Sequence, residues 1–154
     1  CAVKGRPLAA ELVADYPDMV WETSHTKGHR FAPSVMLMPW GYSFGRMNKE
    51  AAAQMIAAAA KGKYFYPVNR GRGIFGPRGQ VAELAVARAL IDAGEELSYG
   101  QLTATDSGEV SHIDGRRWRV TLEEREVEGV VSSCGDAPKT GQAIVATGVE
   151  PVAG

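Results

Sequence analysis

Cysteine is scarce: Cys1 and Cys134 are the only two in 154 residues. Two thiols so far apart cannot make a disulfide framework. Sparse cysteine instead fits a reducing compartment or a metal site, and a cytoplasmic location is expected. Long apolar runs are missing as well. No stretch approaches the roughly 20 residues that a membrane-spanning helix needs. Lys4, Arg6 and Glu11 interrupt any signal-like apolar segment near the start. No membrane partner is expected. Nor is there an excess of one charge: 17 Lys and Arg stand against 18 Asp and Glu, a formal net charge of −1. A whole-molecule field that would gather nucleic acid is therefore absent. Two catalytic signatures are also missing. No paired carboxylates are arranged for glycoside hydrolysis, and Gly71 and Gly73 lack the spacing and strand–turn–helix context of a nucleotide fingerprint.

What remains is an ordinary globular composition, 45% hydrophobic and 23% charged. The length suits one compact domain or one domain with a small appendage. Pro7 favours the first turn of a helix in which Leu8, Leu12 and Val13 recur at helical spacing, and Pro17 stops it. Met19 to Ser24 reads as a strand on the β-favouring Val20, Trp21 and Thr23. Ser34 to Met38 reads as a second strand, buried on both faces. Pro39-Trp40-Gly41 then turns the chain into a hairpin partner at Tyr42 to Met47. Asn48 can cap a helix from Ala51 to about Ala60.

Helix, strand, hairpin, helix is the later part of a thioredoxin-like α/β layout whose first strand would lie upstream of Cys1. The expectation is thus a fragment, because Cys1 is not preceded by an initiator Met. Tyr64 to Gly79 reads as irregular and basic. Gln80 to Ala93 reads as an amphipathic helix with Val81, Leu84, Ala85, Ala87 and Leu90 on its apolar face. Short strands follow at 97–105, 109–113, 116–127 and 142–149, with a type I′ turn expected at Asp114-Gly115. The expected organisation is 1–75 as a truncated thioredoxin-like domain and 76–154 as a helix with a small antiparallel sheet.

The chemistry-bearing feature is His25-x-x-x-His29 in a loop. Imidazoles ligate zinc, iron and copper, and Gly28 lets the backbone fold so that two rings converge. Cys1 precedes the first helix, and a thioredoxin-like layout brings that helix start beside the histidine loop. One thiolate and two imidazoles then share one end of the sheet, one ligand short of a closed site. His112, before a hairpin turn, is expected to be exposed. Cys134 reads as a quiet structural thiol, and Trp40, Tyr42 and Phe44 as core. Arg70, Arg72 and Arg78 could dock an acidic partner, bind phosphate or simply be solvated.

Cys1-Ala-Val-Lys-Gly-Arg-Pro-Leu-Ala-Ala10 and Trp21-Glu-Thr-Ser-His25-Thr-Lys-Gly-His29-Arg-Phe-Ala-Pro33 resemble the sucrase/ferredoxin-like family, which includes the actin-patches-distal proteins. Gly41 to Arg46 and Arg70-Gly-Arg72-Gly extend the likeness, which covers roughly residues 1 to 80. The resemblance implies a thioredoxin-like ferredoxin with a two-iron two-sulfur ([2Fe-2S]) cluster held by two cysteines and two histidines. Cys1, His25 and His29 would be three of those ligands, and the other cysteine would lie upstream of this chain. Two imidazoles make such a cluster less negative and raise its potential. A ring N–H can also couple electron to proton transfer. The implied role is an electron carrier serving a redox partner protein, with no sucrase activity. Two alternatives stay open from the residues: a structural zinc site with the same ligands in an interaction module, and a thiol enzyme using Cys1 with His25 or His29 as base.

Overall fold

The computed structural model describes residues 2–24, 26, 28–132 and 135–153. Among them it has three α-helices and two antiparallel sheets, a mixed α/β architecture. Helix α1 spans Ala2–Asp15. It starts five residues before Pro7, so the proline sits inside the helix rather than in its first turn. Leu8 and Leu12, one turn apart, are its buried contacts. The expected strand at Met19 to Ser24 does not form: those residues are turn and irregular chain. β propensity needs a partner to pair with, and this segment joins neither sheet. Val20 still packs against the core, while Trp21 is exposed.

Strand β1 (Val35–Leu37) and β2 (Tyr42–Phe44) form the expected hairpin, with Val35 opposite Phe44 and Leu37 opposite Tyr42. β1 is not buried on both faces. It is an edge strand, and Met36 and Met38 are exposed. Helix α2 (Lys49–Ala60) is capped as read, the Asn48 side chain accepting from the Ala51 N–H at 2.8 Å. Strand β3 (Asn69–Arg72) lies inside the stretch read as irregular. Its Asn-Arg-Gly-Arg sequence has little β propensity, and β2 recruits it by pairing Phe44 with Asn69 and Tyr42 with Arg72.

Helix α3 (Pro77–Asp92) is followed by β4 (Leu102–Ala104), β5 (Glu109–His112), β6 (Arg117–Val130) and β7 (Lys139–Pro151), a meander in sequence order. The β5–β6 connection is not a type I′ turn. It is a three-residue loop in which Gly115 alone takes a positive φ, 96°, the arrangement of a type I turn closed by a left-handed glycine. One buried cluster runs from Leu8 to Val120 and includes Tyr42, Phe44, Val86, Leu102 and Val110. Residues on both sides of position 75 therefore share it.

Candidate functional site

One short turn of chain positions His29. Gly28 adopts a left-handed φ of 75° and opens a short 3-10 turn at His29–Phe31. The Phe31 N–H donates to Gly28 O at 2.8 Å, and the Ala32 N–H to His29 O at 3.1 Å. This turn is tied to the end of β2, because Phe31 O accepts from the Arg46 N–H at 2.6 Å and Pro33 O from the Met47 N–H at 3.1 Å. Gly45 permits that approach. A Cβ there would lie 2.9 Å from both Arg70 Cδ and Phe31 Cβ, closer than side chains tolerate. The Arg70 guanidinium stacks on the Phe31 ring at 3.5 Å, and Arg30 approaches the same ring at 4.7 Å. Burial first, and then Arg30, push the Arg70 pKa down. His29 is half-buried at the head of this assembly.

The side chains of Arg6 and Glu22 meet at 3.6 Å. The first turns of α1 are thereby neighbours of the segment that enters the histidine loop. Cys1, His25 and Cys134 lie outside the described residues. Among the described residues, no group of three or more His, Cys, Asp or Glu could hold a metal ion.

The three arginines read as one basic stretch point to three places. Arg70 covers Phe31. Arg72 donates its Nε–H to Trp40 O at 2.8 Å. Arg78 donates its Nε–H to Asp106 O at 3.1 Å and pairs with Glu124 at 3.8 Å. His112 is not exposed: its side chain retains 9% of its accessible area, with Nδ1 2.9 Å from Asp114 Oδ1. Arg116 clamps Asp114 on one side and Glu95 on the other. The backbone N–H of Arg116, followed by His112 and the Arg116 side chain, holds the Asp114 carboxyl down at about 2.

A second polar cluster went unread in the sequence. Glu83 is fully buried. One carboxylate oxygen accepts from the Tyr42 hydroxyl, while Oε2 and the nearby Tyr64 hydroxyl have no side-chain hydrogen-bond partner among the described residues. Tyr99 and Trp40 complete the wall, the Tyr99 ring 5.0 Å from those of both Trp40 and Tyr42. Burial, only partly offset by the Tyr42 hydroxyl and Arg72, raises the Glu83 pKa from 4.5 to about 7. Burial followed by the Glu83 charge also raises Tyr42 and Tyr64. The signal lay in the helical period. The buried stripe of α3 is Gly79, Ala82, Glu83, Val86, Ala87 and Leu90, and Glu83 falls within it. The stripe is rotated from the expected face, and Val81, Leu84 and Ala85 are only half-buried.

Comparison of the chain with protein-family models, with curated proteins and with solved structures finds no match in any of the three.

Proposed function

We propose that this chain transfers electrons through a two-iron two-sulfur cluster on a thioredoxin-like frame, with Cys1, His25 and His29 as three ligands and a cysteine upstream of Cys1 as the fourth. The observation that carries this reading is the Arg6–Glu22 contact. Cys1 is five positions before Arg6 in the sequence, and Glu22 is three positions before His25. A site shared by Cys1 and the two histidines requires these two segments to be neighbours, and the Arg6–Glu22 contact agrees with that requirement. A thiolate and imidazole donor set suits iron or zinc. Of the expected order helix, strand, hairpin, helix, the first helix, the hairpin and the second helix are present, whereas the strand between α1 and the hairpin is not.

When bound, the cluster would supply one-electron chemistry at a potential raised by its neutral imidazole ligands. The chain's own part is to fix the loop. Gly28 sets its entry, Gly45 admits Phe31, and Arg70 holds that ring from its face. Arg30 and Arg70 put positive charge beside the loop, which favours an acidic redox partner.

The test is anaerobic purification of the chain extended upstream of Cys1, followed by its visible spectrum and its iron and zinc content. Red-brown absorbance with about two irons per chain, lost in His29→Ala and in His25→Ala, is the expected result. Colourless protein with about one zinc per chain would replace this reading by a structural zinc module.

A further inference from the structure

Strands β6 and β7 pair along most of their length, from Trp118 opposite Pro151 to Val130 opposite Lys139. β5 pairs only with Arg117 to Arg119. The Val120 N–H still donates to Gly108 O at 2.8 Å and Leu122 O accepts from Arg78 at 3.5 Å; beyond Leu122, β6 and β7 continue as a two-stranded ribbon whose two edges pair with no other strand among the described residues. An isolated two-stranded ribbon is at best weakly stable in water, and further strands on its edges stabilise it.

The two edges differ. The β6 edge carries Glu123, Glu124, Arg125, Glu126 and Glu128 within six positions, the dense charge that natural sheets use to repel another strand. The β7 edge has no such protection. Thr140 to Val149 contains no charged residue and no proline, and no residue of β7 is fully buried. β7 is the outermost strand of its sheet, so one row of its backbone N–H and C=O groups faces outward along 13 residues.

The charges resume at the two ends of β7, with opposite signs: Lys139 and Glu150. They are an odd number of positions apart, which in a regular strand would put them on opposite faces. The bulge between Ala146 and Gly148, where Leu122 pairs with Ala146 but Thr121 with Gly148, shifts the alternation by one. Lys139 and Glu150 therefore share a face. An antiparallel pairing of β7 with a second β7, about a twofold axis at Ile144 and with the extra bulge residue Thr147 left unpaired, sets each Lys139 against Glu150 of the other copy. The uncharged residues meet between them.

We propose that β7 is a pairing edge through which two copies of this chain join their sheets into one continuous antiparallel sheet, an isologous contact closed by two Lys139–Glu150 pairs. β4 is the outer strand of that joined sheet, and along the ribbon beyond it the charged β6 edge discourages further addition.

The test is sedimentation of the full chain over a concentration series, with hydrogen exchange of the β7 amides measured at each end of the series. The expected result is a monomer–dimer equilibrium, with β7 amides protected at high concentration and exchanging at low concentration. Lys139→Glu sets like charges opposite each other at both ends and weakens dimerisation about tenfold, two symmetry-related pairs at roughly threefold each. The double variant Lys139→Glu with Glu150→Lys restores complementarity and recovers most of that loss. Both positions are exposed, and circular dichroism checks that each variant keeps its fold. A chain that stays monomeric up to about 1 mM, or a dimer indifferent to both variants, overturns the proposal.

Discussion

At the scale of single residues, the least expected side chain is Glu83. Its burial is energetically unfavourable for a charge and mild for a neutral acid, so the folded protein favours the protonated form. The folded pKa, about 7, lies above the ordinary 4.5. The unfolded chain thus loses its proton first as pH rises. Stability is greatest below about pH 4.5 on account of this group, falls between about 4.5 and 7, and is level above that. The span corresponds to on the order of 3 kcal/mol. Glu83→Gln keeps the shape and an acceptor for Tyr42 but cannot ionise. Urea titrations at pH 5 and pH 8 should give a large difference for the wild type and a much smaller one for Glu83→Gln. Equal differences would show that Glu83 is not the titrating group. Tyr42→Phe removes the side-chain hydrogen bond donated to the carboxylate. It should destabilise the fold by about 1–3 kcal/mol at pH 8, and by less at pH 5, where the carboxyl is neutral.

At the scale of elements, α3 shows both what could be read and what could not. Its period was legible, but its N-terminal cap is supplied from far along the chain. Gly76 at the N-cap has no side chain, and the Gly79 N–H instead donates at 2.7 Å to Asp106 Oδ1, in the turn between β4 and β5. Asp106 also brings negative charge to the positive end of the helix dipole. Asp106→Ala should cost about 1–2 kcal/mol, and Asp106→Asn less, because it keeps an acceptor. Gly76→Ala should cost about as much as Asp106→Ala and more than Asp106→Asn, since its Cβ would push the Asp106 carboxylate off the helix end. Thermal melts of the three variants test that ranking, and a harmless Gly76→Ala would refute it. The same distinction between local and distant causes explains the other elements. The Asn48 cap, the Leu37–Tyr42 hairpin and the strands after residue 100 follow from short-range pattern and were legible. β3 exists only because β2 offers it an edge. Met19 to Ser24 has strand-like residues and no edge to join. At the candidate site, the His29 loop was legible from Gly28 and the spacing of its histidines. The Phe31–Arg70 stack that holds it joins residues nearly forty positions apart and leaves no local trace.

At the scale of the whole molecule, the question is how strongly the two halves of the sequence depend on each other. The Tyr42 hydroxyl bonds Glu83, the Phe65 N–H donates to the Tyr99 hydroxyl at 3.1 Å, and Trp40 stacks on Tyr99. Each contact crosses from before residue 75 to after it, and each is central to the buried cluster. Removing the later half would expose Tyr42, and removing the earlier half would expose Val86 and Leu102, all now within 1% of full burial; either loss would leave Glu83 or Tyr42 without the other. A unit of this size with one shared core is expected to unfold in a single two-state step. The three tryptophans give the readout, because Trp40 sits at the crossing, Trp118 is buried on β6 and Trp21 is exposed on the other side of the crossing. Near-ultraviolet circular dichroism reports the first two, and far-ultraviolet signal the helices. Coincident transitions are expected in the wild type. In Tyr99→Leu, which removes the stack and the Phe65 hydrogen bond together, both should shift to lower denaturant and still coincide. Two separated transitions in the wild type would mean that the halves fold independently and that the aromatic crossing contributes little to their coupling.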